Sequence, residues 1–304
     1  MAAAVTISLA ELIRLKAEAR GFKLSPHHPQ NSLLAGRYAS RLRGRGLDFA
    51  ELRGYRPGDD IRSIDWKATA RRGRTQIRVY EEERERPVYL AVDQRKGMFF
   101  GSHRAMKSVA AAEAAALAAW KVLAGGDRVG GWVFGDHDFR YFRAKRGQSS
   151  ILQLLNTVAE ENQKLTLKSD ADSDQGLNAM LADAERQLTH DGLFILISDL
   201  VGADEETGER LTRIARHNNV LMVTVYDPLG IQINGMPGMW MDVGSEQKPV
   251  PTDAGFPGRL RKEFAKEVSQ WQLLFRNLNI PMLPLSTDRS VVDQVREALG
   301  AQHG

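Results

Sequence analysis

The chain of 304 residues contains no cysteine. This excludes disulfides, thiolate metal sites and cysteine nucleophiles, and it suits a reducing compartment. Long apolar runs are missing too. The longest, Ala110 to Trp120, is broken by Glu113 and falls far short of the roughly 20 residues a membrane-spanning helix needs. The first residues lack the basic start and continuous apolar stretch of a secretory leader, because Glu11, Arg14 and Lys16 interrupt them. They predict instead an amphipathic helix over residues 8–20 docked on its own domain, and the expected location is cytoplasmic. No histidine falls at ligand spacing with carboxylates: His27, His28 and His137 read as solvated loops. Ser102 is in no nucleophile elbow, and the glycines of LAGGDRVGG follow a helix instead of opening one, so they are no dinucleotide loop.

What is present is an ordinary globular composition, 42% apolar and 26% charged, with an uneven charge distribution. Through Pro87 there are 18 Lys+Arg against 11 Asp+Glu; the remainder has 24 against 27. From Pro87 onward, short apolar runs alternate with helical stretches. VYLAVD is apolar on both faces, as is GLFILISDL at residues 192–200, and VLMVTVYD and IPMLPLS follow the same habit. Between them lie an alanine-rich helix ending in Gly-Gly and a hairpin turning at Gly135 to Asp138. Four helical stretches, SSILQLLNTVAEEN, QGLNAMLADAERQLTH, GERLTRIARHNN and RLRKEFAKEVSQWQLLFRNLN, complete the pattern. The succession predicts an α/β fold with an open, mostly parallel sheet and helices on both faces. We divide it at residue 86, with a helix and basic region over 1–86 and the sheet domain over 87–304.

In such sheets the working crevice lies beyond the carboxyl ends of the strands, which here carry Asp93, Asp199 and Asp227. The strands ending in Asp93 and Asp199 resemble a von Willebrand factor A domain. That family holds magnesium with Asp-x-Ser-x-Ser, a loop threonine and a second strand-end aspartate. This chain has Arg95 and Gly97 at the serine positions, and Ser173, Asp174 and Gln175 where the threonine would lie. The guanidinium of Arg95 is expected to sit against Asp93 and Asp199 in place of the ion, giving a degenerate site without metal or cofactor. Asp93 and Asp199 stay the weak magnesium candidates; simple capping of the next turn is the alternative reading of both.

The run YRPGDDIRSIDWKATARRG mixes charges of both signs with Ile61, Ile64 and Trp66 as apolar anchors behind a Pro-Gly turn. It predicts a buried Arg–Asp network at a structural joint. With its flanks it resembles the signature of the bacterial family named domain of unknown function 58. The matching positions are Gly44, Gly46, Phe49, Glu51, Arg53, Tyr55, Pro57, Gly58, Asp59, Asp60, Arg62, Ile64, Asp65, Trp66, Ala70 and Arg71. The resemblance covers roughly residues 30 to 290. It implies a von Willebrand A-like domain and a soluble, non-enzymatic adaptor. The implied partners are a MoxR-type AAA+ ATPase and other von Willebrand A-like proteins, and the implied task is protein maturation or complex assembly. The binding residues implied are Arg53, Tyr55, Asp59, Asp60, Arg62, Asp65, Trp66, Arg71, Asp93, Arg95 and Asp199. Two rivals remain: nucleic-acid binding through Arg37, Tyr38, Arg41, Arg43 and Arg45, and a metal-dependent hydrolase built on the strand-end carboxylates.

Overall fold

The computed structural model describes residues 4–20, 47–82, 87–166, 175–228, 240–243, 246–249 and 271–299. The stretch with Arg37, Tyr38, Arg41, Arg43 and Arg45, the pair His27 and His28, and the loop with Ser173 and Asp174 lie outside them. The chain forms two units. One comprises residues 36–85; the other combines residues 1–35 with 86–304.

The larger unit is built on a six-stranded sheet of β3 (Pro87–Asp93), β4 (Arg128–Phe134), β5 (Phe139–Lys145), β6 (Leu193–Ser198), β7 (Asn219–Tyr226) and β10 (Met282–Ser286). The spatial order is β10-β7-β6-β3-β4-β5, and every pair is parallel except the β4–β5 hairpin. All seven residues of β3 and all six of β6 are buried, as doubly covered central strands require. Alternation sorts them. Val88, Leu90 and Val92 face one core with α1 (Leu9–Arg20), α3 (Lys107–Ala124), α4 (Gln148–Lys164) and α8 (Val291–Ala298). Tyr89 and Ala91 face the other core with α5 (Gln175–Gln187), α6 (Glu205–Ala215) and the α7 segment at 271–277. The helices therefore cover both faces.

Close approach is set by small residues. Seven alanines of α3 are buried, and Gly131, at φ 143°, lies where a Cβ would stand 1.9 Å from the Leu90 carbonyl oxygen of the neighbouring strand. Only glycine fits there. After β7 in the chain comes a hairpin of β8 (Trp240–Val243) and β9 (Glu246–Pro249), in a segment rich in Gly and Pro.

The amino-terminal helix is grouped with the sheet unit. Trp120 of α3 donates its indole N–H to the Leu12 carbonyl at 2.9 Å, and Ala4 pairs with Ala105 ahead of α3. A buried polar chain continues inward. The Ile7 amide donates to Asn162 Oδ1 at 2.9 Å, Asn162 donates to Gln94 at 3.1 Å, and Gln94 donates to the Ser108 carbonyl at 3.0 Å.

Helix α6 starts three residues before the glycine at which its apolar pattern begins, because Asp204 and Thr207 form a reciprocal cap. Asp204 Oδ1 accepts the Thr207 amide at 2.9 Å and the Asn178 side chain of α5 at 2.9 Å. The Asn178 bond first, then the Thr207 amide, holds its carboxyl below the ordinary range. Asp204→Ala is expected to lower stability by about 1 kcal/mol at neutral pH. A depressed carboxyl stabilises above its unfolded pKa of about 3.9 and ceases to do so as pH falls through the folded value. The difference from wild type should therefore close in acid, which urea titrations at several pH values will read.

In the smaller unit, β1 (Leu47–Gly54) pairs antiparallel with β2 (Gln76–Glu82), and between them lie a 3-10 turn over Ile61–Ser63 and α2 (Trp66–Arg72). Gly73, at φ 63°, ends α2. Of the residues whose side chains are described there, only Gln76 and Ile77 are fully buried.

Candidate functional site

The carboxyl ends of the central strands converge on a charge cluster. Asp93, the last residue of β3, is fully buried and meets Arg95 two residues on. Asp93 Oδ1 accepts the Arg95 amide and Nε at 3.0 Å each; Oδ2 accepts Nη2 at 2.7 Å and the Ser198 hydroxyl at 2.6 Å. The remaining arm, Nη1, donates to the Val201 carbonyl at 3.0 Å. Arg95 Nη2 stands 3.7 Å from Asp199 Oδ1. Asp199 Oδ2 takes the ammonium of Lys107, the first residue of α3. The guanidinium also lies 5.8 Å from the Phe134 ring centroid.

The electrostatics follow from this packing. Burial opposes charge on Arg95, but Asp93, Asp199 and Asp136 together hold its pKa above the ordinary value, so it stays a cation. Burial would raise the Asp199 carboxyl; Lys107 first and Arg95 second overcome it and hold the pKa below the ordinary value. Asp136, in the β4–β5 turn, behaves oppositely. Burial pushes its carboxyl up, against the Lys96 amide it accepts at 2.8 Å and against Arg95. Leu200, next to Asp199, adopts φ 60°, a left-handed conformation costing on the order of 1–2 kcal/mol for a bulky residue. The bonds of Ser198 Oγ to the Leu200 amide and of Asp199 Oδ1 to the Val201 amide, both 3.0 Å, hold that turn.

The third strand-end carboxylate, Asp227, closes a different joint. It accepts the Ser102 amide at 2.8 Å, the Ser102 hydroxyl at 2.7 Å and the Thr287 hydroxyl. Ser102 thus anchors the loop before α3.

A divalent cation does not fit the residues present. The two hydroxyl positions of the Asp-x-Ser-x-Ser run hold Arg95 and Gly97, and the Arg95 guanidinium occupies the oxygens of Asp93. Among the described residues no group of three or more acidic or histidine side chains is disposed to hold a metal. The expected pairing of Arg95 with Asp93 and Asp199 is present. Lys107, Ser198 and Asp136 are participants that sequence reasoning passed over. Ser198 adjoins Asp199 in the strand-end run and was the legible one; Lys107 gave no pattern.

The signature residues form a second cluster within the smaller unit. Arg53 makes a two-armed ion pair with Asp59, at 2.9 and 2.7 Å, and Asp59 also accepts the Arg56 amide at 2.7 Å. Asp60 caps the 3-10 turn through the Arg62 amide at 3.0 Å. Asp65 caps α2 through the Ala68 amide at 2.9 Å and pairs with Arg78 Nε at 2.9 Å. The Arg53 bond holds Asp59 low, and the Ala68 amide followed by Arg78 holds Asp65 low. Two expectations are corrected. The Arg–Asp network is part-exposed, not buried, and Ile61 and Trp66 are exposed instead of serving as anchors. Ile64 is half-buried, and its backbone forms an antiparallel bridge with Ile77. Tyr55, Arg62 and Arg71 also stand at the surface.

An open α/β sheet whose strand-end carboxylates carry built-in cations, joined to a small basic hairpin unit, defines the class. The chain belongs to the family described as "Protein of unknown function DUF58", whose profile matches residues 51–270. It is similar to uncharacterised proteins of Mycobacterium tuberculosis and Mycobacterium bovis. Each is 26% identical over 297 residues, spanning 96% of this chain and 91% of the relative. Among solved structures it is similar to an aerotolerance-related membrane protein from Bacteroides fragilis, at 14% identity and a TM-score of 0.41. That match covers 71% of this chain and 100% of the other. A D319A mutant of the PilB minor pilin of Streptococcus sanguinis matches at 8% identity and a TM-score of 0.39, over 75% and 64% of the two chains. Among the described residues no helix is long and apolar enough to cross a membrane.

Proposed function

We propose that this protein is a non-enzymatic interaction module of von Willebrand A-like type that works with a MoxR-type AAA+ ATPase in the maturation or assembly of other proteins. One observation carries the reading: the strand-end carboxylates are engaged by Arg95, Lys107 and Ser198. A general base, a nucleophile or a metal-ligand set needs an oxygen open to the reacting group, and these oxygens are turned to internal partners. Such an arrangement serves to hold the crevice loops in one shape. The hydrolase alternative would require Arg95 to leave Asp93. The nucleic-acid alternative rests on Arg37, Arg41, Arg43 and Arg45, which lie outside the described residues.

The test is binding of the purified full chain to the purified ATPase of the same organism, with and without EDTA. Binding that is unchanged by EDTA is expected, because the cations of this crevice are side chains. Absence of binding, or its loss on chelation, would overturn the reading.

A further inference from the structure

The smaller unit keeps three large apolar side chains at its surface. Ile61 is 66% exposed, Trp66 69% and Tyr55 37%. The backbone beneath them is fixed, since Asp60 caps the turn carrying Ile61 and Asp65 caps the helix that begins with Trp66. On α2, Arg71 follows Lys67 at four-residue spacing, so two cations stand on one side of the helix that Trp66 begins.

The surrounding charge is predominantly cationic, with Asp60 the exposed carboxylate among it. Arg56, Arg62, Lys67, Arg71 and Arg74 have no carboxylate partner among the described residues, whereas Arg53 and Arg78 pair with Asp59 and Asp65. Residues 36–85 hold 13 Lys+Arg against 9 Asp+Glu, so the whole net charge of +4 belongs to this unit and the rest of the chain is balanced. An exposed tryptophan, isoleucine and tyrosine in a segment that also carries these cations is the composition of a binding hot spot, rich in Trp, Tyr and Arg.

We propose that the Tyr55–Ile61–Trp66 face docks an acidic protein segment bearing apolar side chains. The apolar groups would cover Ile61 and Trp66, and the carboxylates would meet Arg62, Lys67 and Arg71. A protein segment suits the face better than a polynucleotide: Ile61 offers no stacking plane, and covering its aliphatic side chain takes an apolar partner that a sugar-phosphate backbone does not supply. The proposal deepens the interaction-module reading and rests on it for the existence of a protein partner, not for the ATPase as its identity.

The experiment places the photo-crosslinking residue p-benzoylphenylalanine at Trp66 of the full chain in cells of the source organism. The same residue at Leu273, an exposed apolar position of the sheet unit, is the control. The expected result is a discrete adduct at position 66 at least tenfold above the control, its crosslinked peptide net negative and containing apolar side chains. Lys67→Glu with Arg71→Glu should reduce it to the control level. No excess at position 66, a nuclease-sensitive adduct, a peptide of this same chain, or a peptide without acidic excess would overturn the proposal. An acidic adduct from a protein other than the ATPase would leave this surface standing and remove the ATPase assignment.

Discussion

Arg95→Met is expected to lower the stability of the sheet unit by about 3–5 kcal/mol, the usual consequence of removing one partner from a buried ion pair. In a unit of this size that corresponds to a fall in Tm of roughly 10 °C. The reason lies in the geometry. Asp93 is fully buried and takes both arms of the Arg95 fork, and Asp199 loses one of its two cations. The pH dependence should change sign. In the wild type the Asp199 carboxyl is held below its ordinary pKa, so its stabilising contribution is complete above about pH 4 and fades as acid reaches the folded value. In the variant the uncompensated charge is relieved by proton uptake, so the deficit should be largest at pH 7 and narrow toward pH 5. Guanidinium denaturation at both values measures it; a deficit under 1 kcal/mol, or one constant with pH, would show that the guanidinium is not what stabilises the cluster.

The second large effect is a gain. Arg95→Ser, Gly97→Ser and Lys107→Ala together should create a divalent-cation site at the ends of β3 and β6. The substitutions remove both internal cations and supply two hydroxyls in an Asp-x-Ser-x-Ser run. The Cβ at position 97 would stand 4.0 Å from Asp199 Oδ2, so its hydroxyl can share an ion with that carboxylate. Hard oxygen donors in this number suit Mg2+ or Mn2+. At a metal concentration roughly ten to a hundred times Kd the variant should gain about 1.4–2.7 kcal/mol of stability. Thermal unfolding with and without Mn2+ reads this directly, alongside calorimetric titration. A folded variant indifferent to metal would mean that the surrounding loops, and not the two cations, set the chemistry of the crevice.

Much of the fold was legible because β3 and β6 are covered on both faces, and a fully buried strand must be written in apolar residues without interruption. The hairpin was equally plain from Gly135 to Asp138. The spatial order was not, since nothing local tells β3 to lie between β6 and β4. Within the site, Arg95 could be placed because it stands two residues from Asp93 on the same strand end. Lys107 could not: its approach to Asp199 depends on how the intervening loop folds back, which Ser102 and Asp227 decide together. Ile61 and Trp66 were misplaced for another reason. Apolar character favours burial only where a core exists, and one hairpin with a seven-residue helix has little core to offer.

The guanidinium at position 95 also alters how the crevice responds to its surroundings. A bound dication obeys mass action: its occupancy rises and falls with the free ion concentration, and a partner can share it or carry it away. A cation tethered by the backbone two residues from its carboxylate has a fixed and very high effective concentration. It cannot be diluted, chelated or exchanged for another element. The crevice is thereby uncoupled from the ionic composition of the cell, and the group there most open to adjustment is the half-buried Asp136, whose raised carboxyl answers to protons instead of metals.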